Sequence, residues 1–99
     1  MSTRIRVPSE AVAQFCRRHH IRRLSFFGSV LRDDFGPDSD IDVLVDFEPD
    51  ARIGLIRMAR IEIDLSDMIG RKVDLRSPGD LSRHFRDQVV AAAEVLYAA

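Results

Sequence analysis

Residues 40–47, DIDVLVDF, constrain this chain more than any other stretch. They are β-branched and apolar, and they lie between Gly36-Pro37-Asp38-Ser39 and Glu48-Pro49-Asp50. That combination specifies a strand closed at both ends by turns. Side chains alternate along a strand, so Ile41, Val43, Val45 and Phe47 share one face. Asp40, Asp42, Leu44 and Asp46 share the other. The first face belongs in a core. The second opens with two carboxylates that point the same way. Such a pair resists joint ionisation unless a cation or hydrogen bonds stabilise it. Mg²⁺ with a bound triphosphate suits the task, being hard, oxygen-loving and often held by one or two carboxylates.

The rest of the chain reads as alternating helices and strands. Val7-Pro8-Ser9-Glu10 is a helix start, and Val12, Phe15 and Cys16 follow at helical spacing to an end near His19 or His20. Residues 22–27 read as a short strand stopped by Gly28, and residues 29–35 as a short helix or turn. From about Ile53 to Ile69, the recurrence of Ile56, Ala59, Ile63 and Met68 or Ile69 predicts a helix with that stripe in the core, or in the core with one edge facing a partner. Gly70 is its expected stop. Residues 72–75 form a brief strand closed by Ser77-Pro78-Gly79, and residues 80–97 return to helix. The order is α-β-α-β-α-β-α. It predicts an α/β (α+β) fold with helices covering a small sheet. Strand directions are not legible.

Length and composition narrow the class. Ninety-nine residues fit one domain, 1–99, with a single core. No apolar run reaches the roughly 20 residues that cross a membrane, and the N-terminus lacks a signal-peptide core, so a cytoplasmic protein is the default expectation. The single Cys16 cannot form an internal disulfide and reads as packing. The net charge of −1 is unevenly spread. Residues 1–32 carry seven Arg and one Glu, whereas residues 33–50 carry eight acids and no Lys or Arg. The basic third could meet nucleic acid or triphosphate, but no helix-turn-helix, zinc-finger or aromatic RNA-binding pattern is present.

Three features combine into a site. Gly28-Ser29 sits at a strand-to-helix turn, where backbone N–H groups and a hydroxyl can take phosphate and where Gly lets the backbone approach closely. Ten residues separate Ser29 from Asp40-Ile41-Asp42. A later strand supplies Asp74, flanked by Val73 and Leu75. If that strand lies beside 40–47, Asp74 can close a triad of metal ligands. Three carboxylates with two metals can transfer a nucleotidyl group. Arg32 shares a helix face with Ser29; it either touches phosphate or pairs with an acid to hold the loop.

The residues Gly28, Ser29, Arg32, Ser39, Asp40, Asp42, Gly70, Val73, Asp74 and Leu75 resemble, in order, the G-S-x-A-R-G, S-D-x-D and G-x-x-V-D-L motifs of minimal, MNT-type members of the DNA polymerase beta-like nucleotidyltransferases. Leu31 and Asp33 depart from the pattern. The resemblance implies a nucleotidyltransferase fold on a small mixed sheet. It implies Asp40, Asp42 and Asp74 as catalytic metal ligands for Mg²⁺, two ions in number. It implies Gly28, Ser29, Arg32 and Ser39 at the nucleotide, with ATP as substrate. Stand-alone chains of this size resemble antitoxins that pair with a HEPN-domain toxin and transfer AMP to one of its tyrosines. The alternatives are an antitoxin acting by binding alone, and a small-molecule transferase of the aminoglycoside type. His19-His20 and His84 read as solvated, Asp38 and Asp46 as tuning the local potential, and Tyr97 as core.

Overall fold

Seven residues of the DIDVLVDF stretch, Ile41–Phe47, form the inner strand that organises the molecule. The computed structural model describes residues 7–28, 36 and 39–99. Its elements run α1 (Ser9–Arg18), β1 (Ile21–Phe27), β2 (Ile41–Phe47), α2 (Leu55–Ile69), β3 (Val73–Arg76), a 3₁₀ turn (Pro78–Asp80), α3 (Arg86–Ala92) and β4 (Glu94–Ala98). The short helix expected over 29–35 lies outside the described residues.

The four strands form one mixed sheet in the order β3-β2-β1-β4. β2 pairs antiparallel with β1 and parallel with β3, and β4 pairs antiparallel with the far edge of β1. The parallel step needs a crossover, which α2 provides. Ile41, Val43 and Val45 are fully buried on one face of β2, as their alternation requires. Val12, Phe15 and Cys16 of α1 and Ile61 and Leu65 of α2 join the same core, together with Leu24, Phe26, Val73 and Leu75. Both long helices therefore cover one face. The other face carries Asp42 and Leu44 of β2 and is left for chemistry.

α2 also seals the sheet's β3 edge. The Val73 N–H donates to Ser66 Oγ at 3.0 Å, and the Leu75 N–H donates to the Glu62 carboxylate at 2.7 Å. Outward N–H groups of an edge strand would otherwise be open to pairing. Gly70 ends α2 in the left-handed region (φ 80°), and its N–H donates to the Ser66 carbonyl at 2.8 Å.

Two expectations are corrected. Residues 80–97 are not one helix: a 3₁₀ turn and a seven-residue α3 precede a strand. Once β2 occupies one side of β1, the other side needs a partner, and Val95, Leu96 and Tyr97 suit a strand. Long-range pairing outweighs the helical preference of the Ala-rich run before it. The core stripe of α2 is also different. Ile61 and Leu65 are buried, with Met58, Met68 and Ile69 packed against the core. Ile56 and Ile63 face outward, and Ile56 is 90% exposed. Two apolar stripes of equal period run along this helix, and periodicity alone does not choose between them. No helix among the described residues is long and apolar enough to cross a membrane.

Candidate active site

The parallel register of β2 and β3 sets Asp42 directly opposite Asp74. Directly opposite residues on neighbouring strands share a face, so both carboxylates lie on the side away from α1 and α2. Asp40 precedes β2 by one residue and follows the same alternation. The Ile41 N–H donates to the Lys72 carbonyl at 2.9 Å, which fixes where the paired region starts. The three acids thus come to one end of one sheet face from two segments.

Antiparallel pairing with β1 supplies the next part. Phe27 stands opposite Asp42, so Gly28 follows immediately beside the acid. Gly28 has φ 73°, a conformation that side chains disfavour, and a Cβ there would collide with the Asp42 carboxylate. The glycine is required on both counts. It sets the backbone at the end of β1 against the Asp42 carboxylate. Ser29 and Arg32, expected at the nucleotide, lie outside the described residues, as does Asp38.

Ser39 has a definite structural task. Its N–H donates to the Gly36 carbonyl at 3.1 Å, and its hydroxyl accepts from the Gly36 N–H at 3.1 Å. These bonds close the turn that delivers Asp40. Arg71 braces the same turn from the other side, donating to the Gly36 carbonyl at 3.0 Å and the Ser39 carbonyl at 2.8 Å. Sequence reasoning passed over Arg71. Its only signal is its place beside the strand that carries Asp74.

Cations stand against the carboxylates. Lys72 Nζ lies 3.9 Å from Asp40, with the lysine 80% exposed. Arg76 Nε lies 3.3 Å from one oxygen of Asp74, and its terminal nitrogen donates to the other at 3.3 Å. The hydrogen bond and charge of Asp74 hold the Arg76 guanidinium above its ordinary pKa, with Asp80 and Asp42 adding to the effect. Arg76 was also unforeseen. Among the described residues, no three His, Cys, Asp or Glu side chains converge closely enough to hold a metal ion. By chemistry the donors suit Mg²⁺: all are carboxylate oxygens, with Asp42 and Asp74 at one register level and Asp40 two residues before Asp42. Beyond β3 an open pocket of about 330 Å³ is lined by Leu55, Met58 and Ala59 and by Asp74, Arg76 and Asp80.

Other residues fall outside the site. Asp46 pairs with Arg22 at 2.7 Å, at the opposite end of β2 from Asp40. Cys16 is buried, and burial pushes its thiol up to about 12, which suits packing and not attack. Tyr97 pairs with Leu24 and so shares the helix-covered face, away from the acids. His84 is exposed. His19 is half-buried instead, its ring 4.6 Å from that of Phe15, and desolvation lowers its pKa.

The nucleotidyltransferase domain family matches residues 9–96. The chain belongs to that family. MntA, a protein adenylyltransferase of Thermococcus cleftensis, is similar to this nucleotidyltransferase, with 34% identity over 80 residues that span 81% of this chain and 77% of that protein. A solved structure assigned as a minimal nucleotidyltransferase superposes with a TM-score of 0.69 at 38% identity, covering 88% of this chain and 85% of the other. A complex of tri-AMPylated Shewanella oneidensis HEPN toxin with its MNT antitoxin superposes with a TM-score of 0.65, covering 92% of this chain and 70% of that one. At 20% identity, that last likeness speaks for the fold alone. The fold is the mixed-sheet nucleotidyltransferase fold of the minimal, MNT type.

Proposed function

We propose that this nucleotidyltransferase moves AMP from ATP to a tyrosine of a HEPN-domain toxin and thereby acts as an antitoxin. The observation that carries the reading is the Asp42–Asp74 register pair with Gly28 packed against Asp42. The adenylyltransferase name of the Thermococcus relative and the AMPylated toxin in the Shewanella complex support the choice of AMP and of acceptor.

In this reading Asp40, Asp42 and Asp74 hold Mg²⁺. Bound there, the metal would supply charge to neutralise the triphosphate and to acidify the attacking hydroxyl. The Gly28-Ser29 turn offers backbone N–H groups and a hydroxyl to the phosphates. Ser39 and Arg71 fix the turn ahead of Asp40, so the acid is placed before substrate arrives. Asp74, at the pocket's edge, takes the tyrosine proton as the phenolic oxygen bonds to the α-phosphorus. The bond to the β-phosphate breaks, and pyrophosphate leaves. The test is to incubate the chain with labelled ATP, Mg²⁺ and a HEPN-domain toxin from the same organism. Label on a toxin tyrosine, abolished by Asp42→Asn, is the expected result. An unlabelled toxin, or equal label with the variant, defeats the reading.

One observation favours a second reading, in which the chain silences its toxin by contact. Leu55 and Ile56 at the start of α2 are 89% and 90% exposed, an unusual cost for a surface with no partner. Rescue of growth by the Asp40→Asn/Asp42→Asn double variant would support binding alone.

A further inference from the structure

Arg76 engages the carboxylate of Asp74, one of the acids of the proposed metal site. It follows Asp74 by two residues on β3 and so shares its face. Its neighbour across the sheet is Leu44, which offers no charge at that level. The guanidinium leans back along its own strand and takes both oxygens of Asp74, Nε on one and a terminal nitrogen on the other, each at 3.3 Å. A divalent cation would use those same oxygens. The side chain is 51% exposed, which leaves it room to swing. A planar guanidinium fork matches phosphate as well as it matches carboxylate.

We propose that Arg76 is a resident stand-in for the metal at Asp74, and that it yields the carboxylate only when a polyphosphate draws its guanidinium away. The inference rests on the metal-and-nucleotide reading of the site. Metal and nucleotide then bind interdependently. A cation arriving alone must displace Arg76 and leave it beside a second positive charge. A cation arriving with a triphosphate meets a guanidinium that already has an anionic partner. Arg76 thus keeps Asp74 aimed while the site waits, and afterwards becomes a phosphate ligand.

The test measures binding, not turnover. Mn²⁺ is titrated into the wild type, R76Q and R76K, alone and with AMP-PNP, and free Mn²⁺ is read by electron paramagnetic resonance. In the wild type the analogue tightens Mn²⁺ binding strongly. In R76Q, Mn²⁺ alone binds about tenfold tighter than in the wild type, and the gain from AMP-PNP shrinks by a similar factor, within the usual range of coupling between sites. R76K, which keeps the charge but loses the fork, falls between. Equal affinity of R76Q and wild type for Mn²⁺ alone, or undiminished coupling in R76Q, overturns the role of Arg76 while leaving the metal site intact. Failure of the wild type to bind Mn²⁺ even with AMP-PNP overturns both this inference and the proposed activity. Far-ultraviolet circular dichroism on each variant separates these results from misfolding.

Discussion

The two flanks of β2 are built for different purposes. On the β3 side, a short parallel pairing aligns Asp42 with Asp74, and α2 seals the outer edge through Ser66 and Glu62. On the β1 side, a longer antiparallel pairing brings Gly28 against Asp42, and β4 completes the sheet with a partly exposed strand. The first flank sets two carboxylates in register, the core of the proposed site. The second reaches the site only through Gly28, and its far edge contributes area and closure. The proposed site therefore draws on both flanks but unequally, and single substitutions should expose the difference.

The sharpest contrast lies within β2. Asp42→Asn should lower AMP transfer by about 10³-fold, on the scale of removing a group that stabilises transition-state charge. Asp46→Asn, at the other end of the same face and paired with Arg22, should change the rate less than about threefold, as expected for an exposed ion pair. Single-turnover labelling of the toxin measures both; similar losses would erase the distinction between site and scaffold.

Next is Gly28→Ala. Its methyl must displace the Asp42 carboxylate and hold a disfavoured φ. We expect a rate loss of about 10²-fold, the scale of a misplaced catalytic group. Unfolding by urea should show a stability loss of about 1–3 kcal/mol from the backbone strain. Unchanged activity would show that the contact with Asp42 is dispensable.

Edge sealing can be tested by stability alone. Glu62→Ala removes a charged acceptor from the Leu75 N–H and should cost about 1.5–3 kcal/mol. Val95→Ala on the exposed β4 should cost less than about 1 kcal/mol. Equal costs would mean that both edges are equally open.

The smallest effect concerns Cys16. Its folded thiol stands at about 12, above the ordinary 9.0, so the folded state holds its proton more tightly than the unfolded chain does. The associated stability is complete below pH 9 and is lost as pH rises towards 12. Thermal melts between pH 8 and 10 should show the decline begin near 9, and Cys16→Ala should remove it. Iodoacetamide at pH 8 should leave the native thiol unmodified.

The contrast between flanks also explains what could be read from the sequence. β2 and its two faces were legible because a period of two with bounding turns is a local signal. Asp74 was legible as an acid embedded in an apolar strand. Its exact partner was not, since parallel pairing links residues 32 positions apart (Asp42 and Asp74) and depends on how α2 crosses over. β4 was misread because its strand state is imposed by the vacant side of β1. The α2 stripe was misread because two stripes share one period. Arg71 and Arg76 went unnoticed for a common reason: arginine is abundant here, and what distinguishes these two is the carbonyl or carboxylate each meets in three dimensions.

The hydrogen bonds from Val73 and Leu75 to α2 have an implication for recognition. An incoming polypeptide cannot extend the sheet beside the acidic end by adding a strand there, because those amides are already engaged. It has to approach by laying side chains against side chains, so complementarity of shape, and not backbone mimicry, decides which proteins this enzyme can reach.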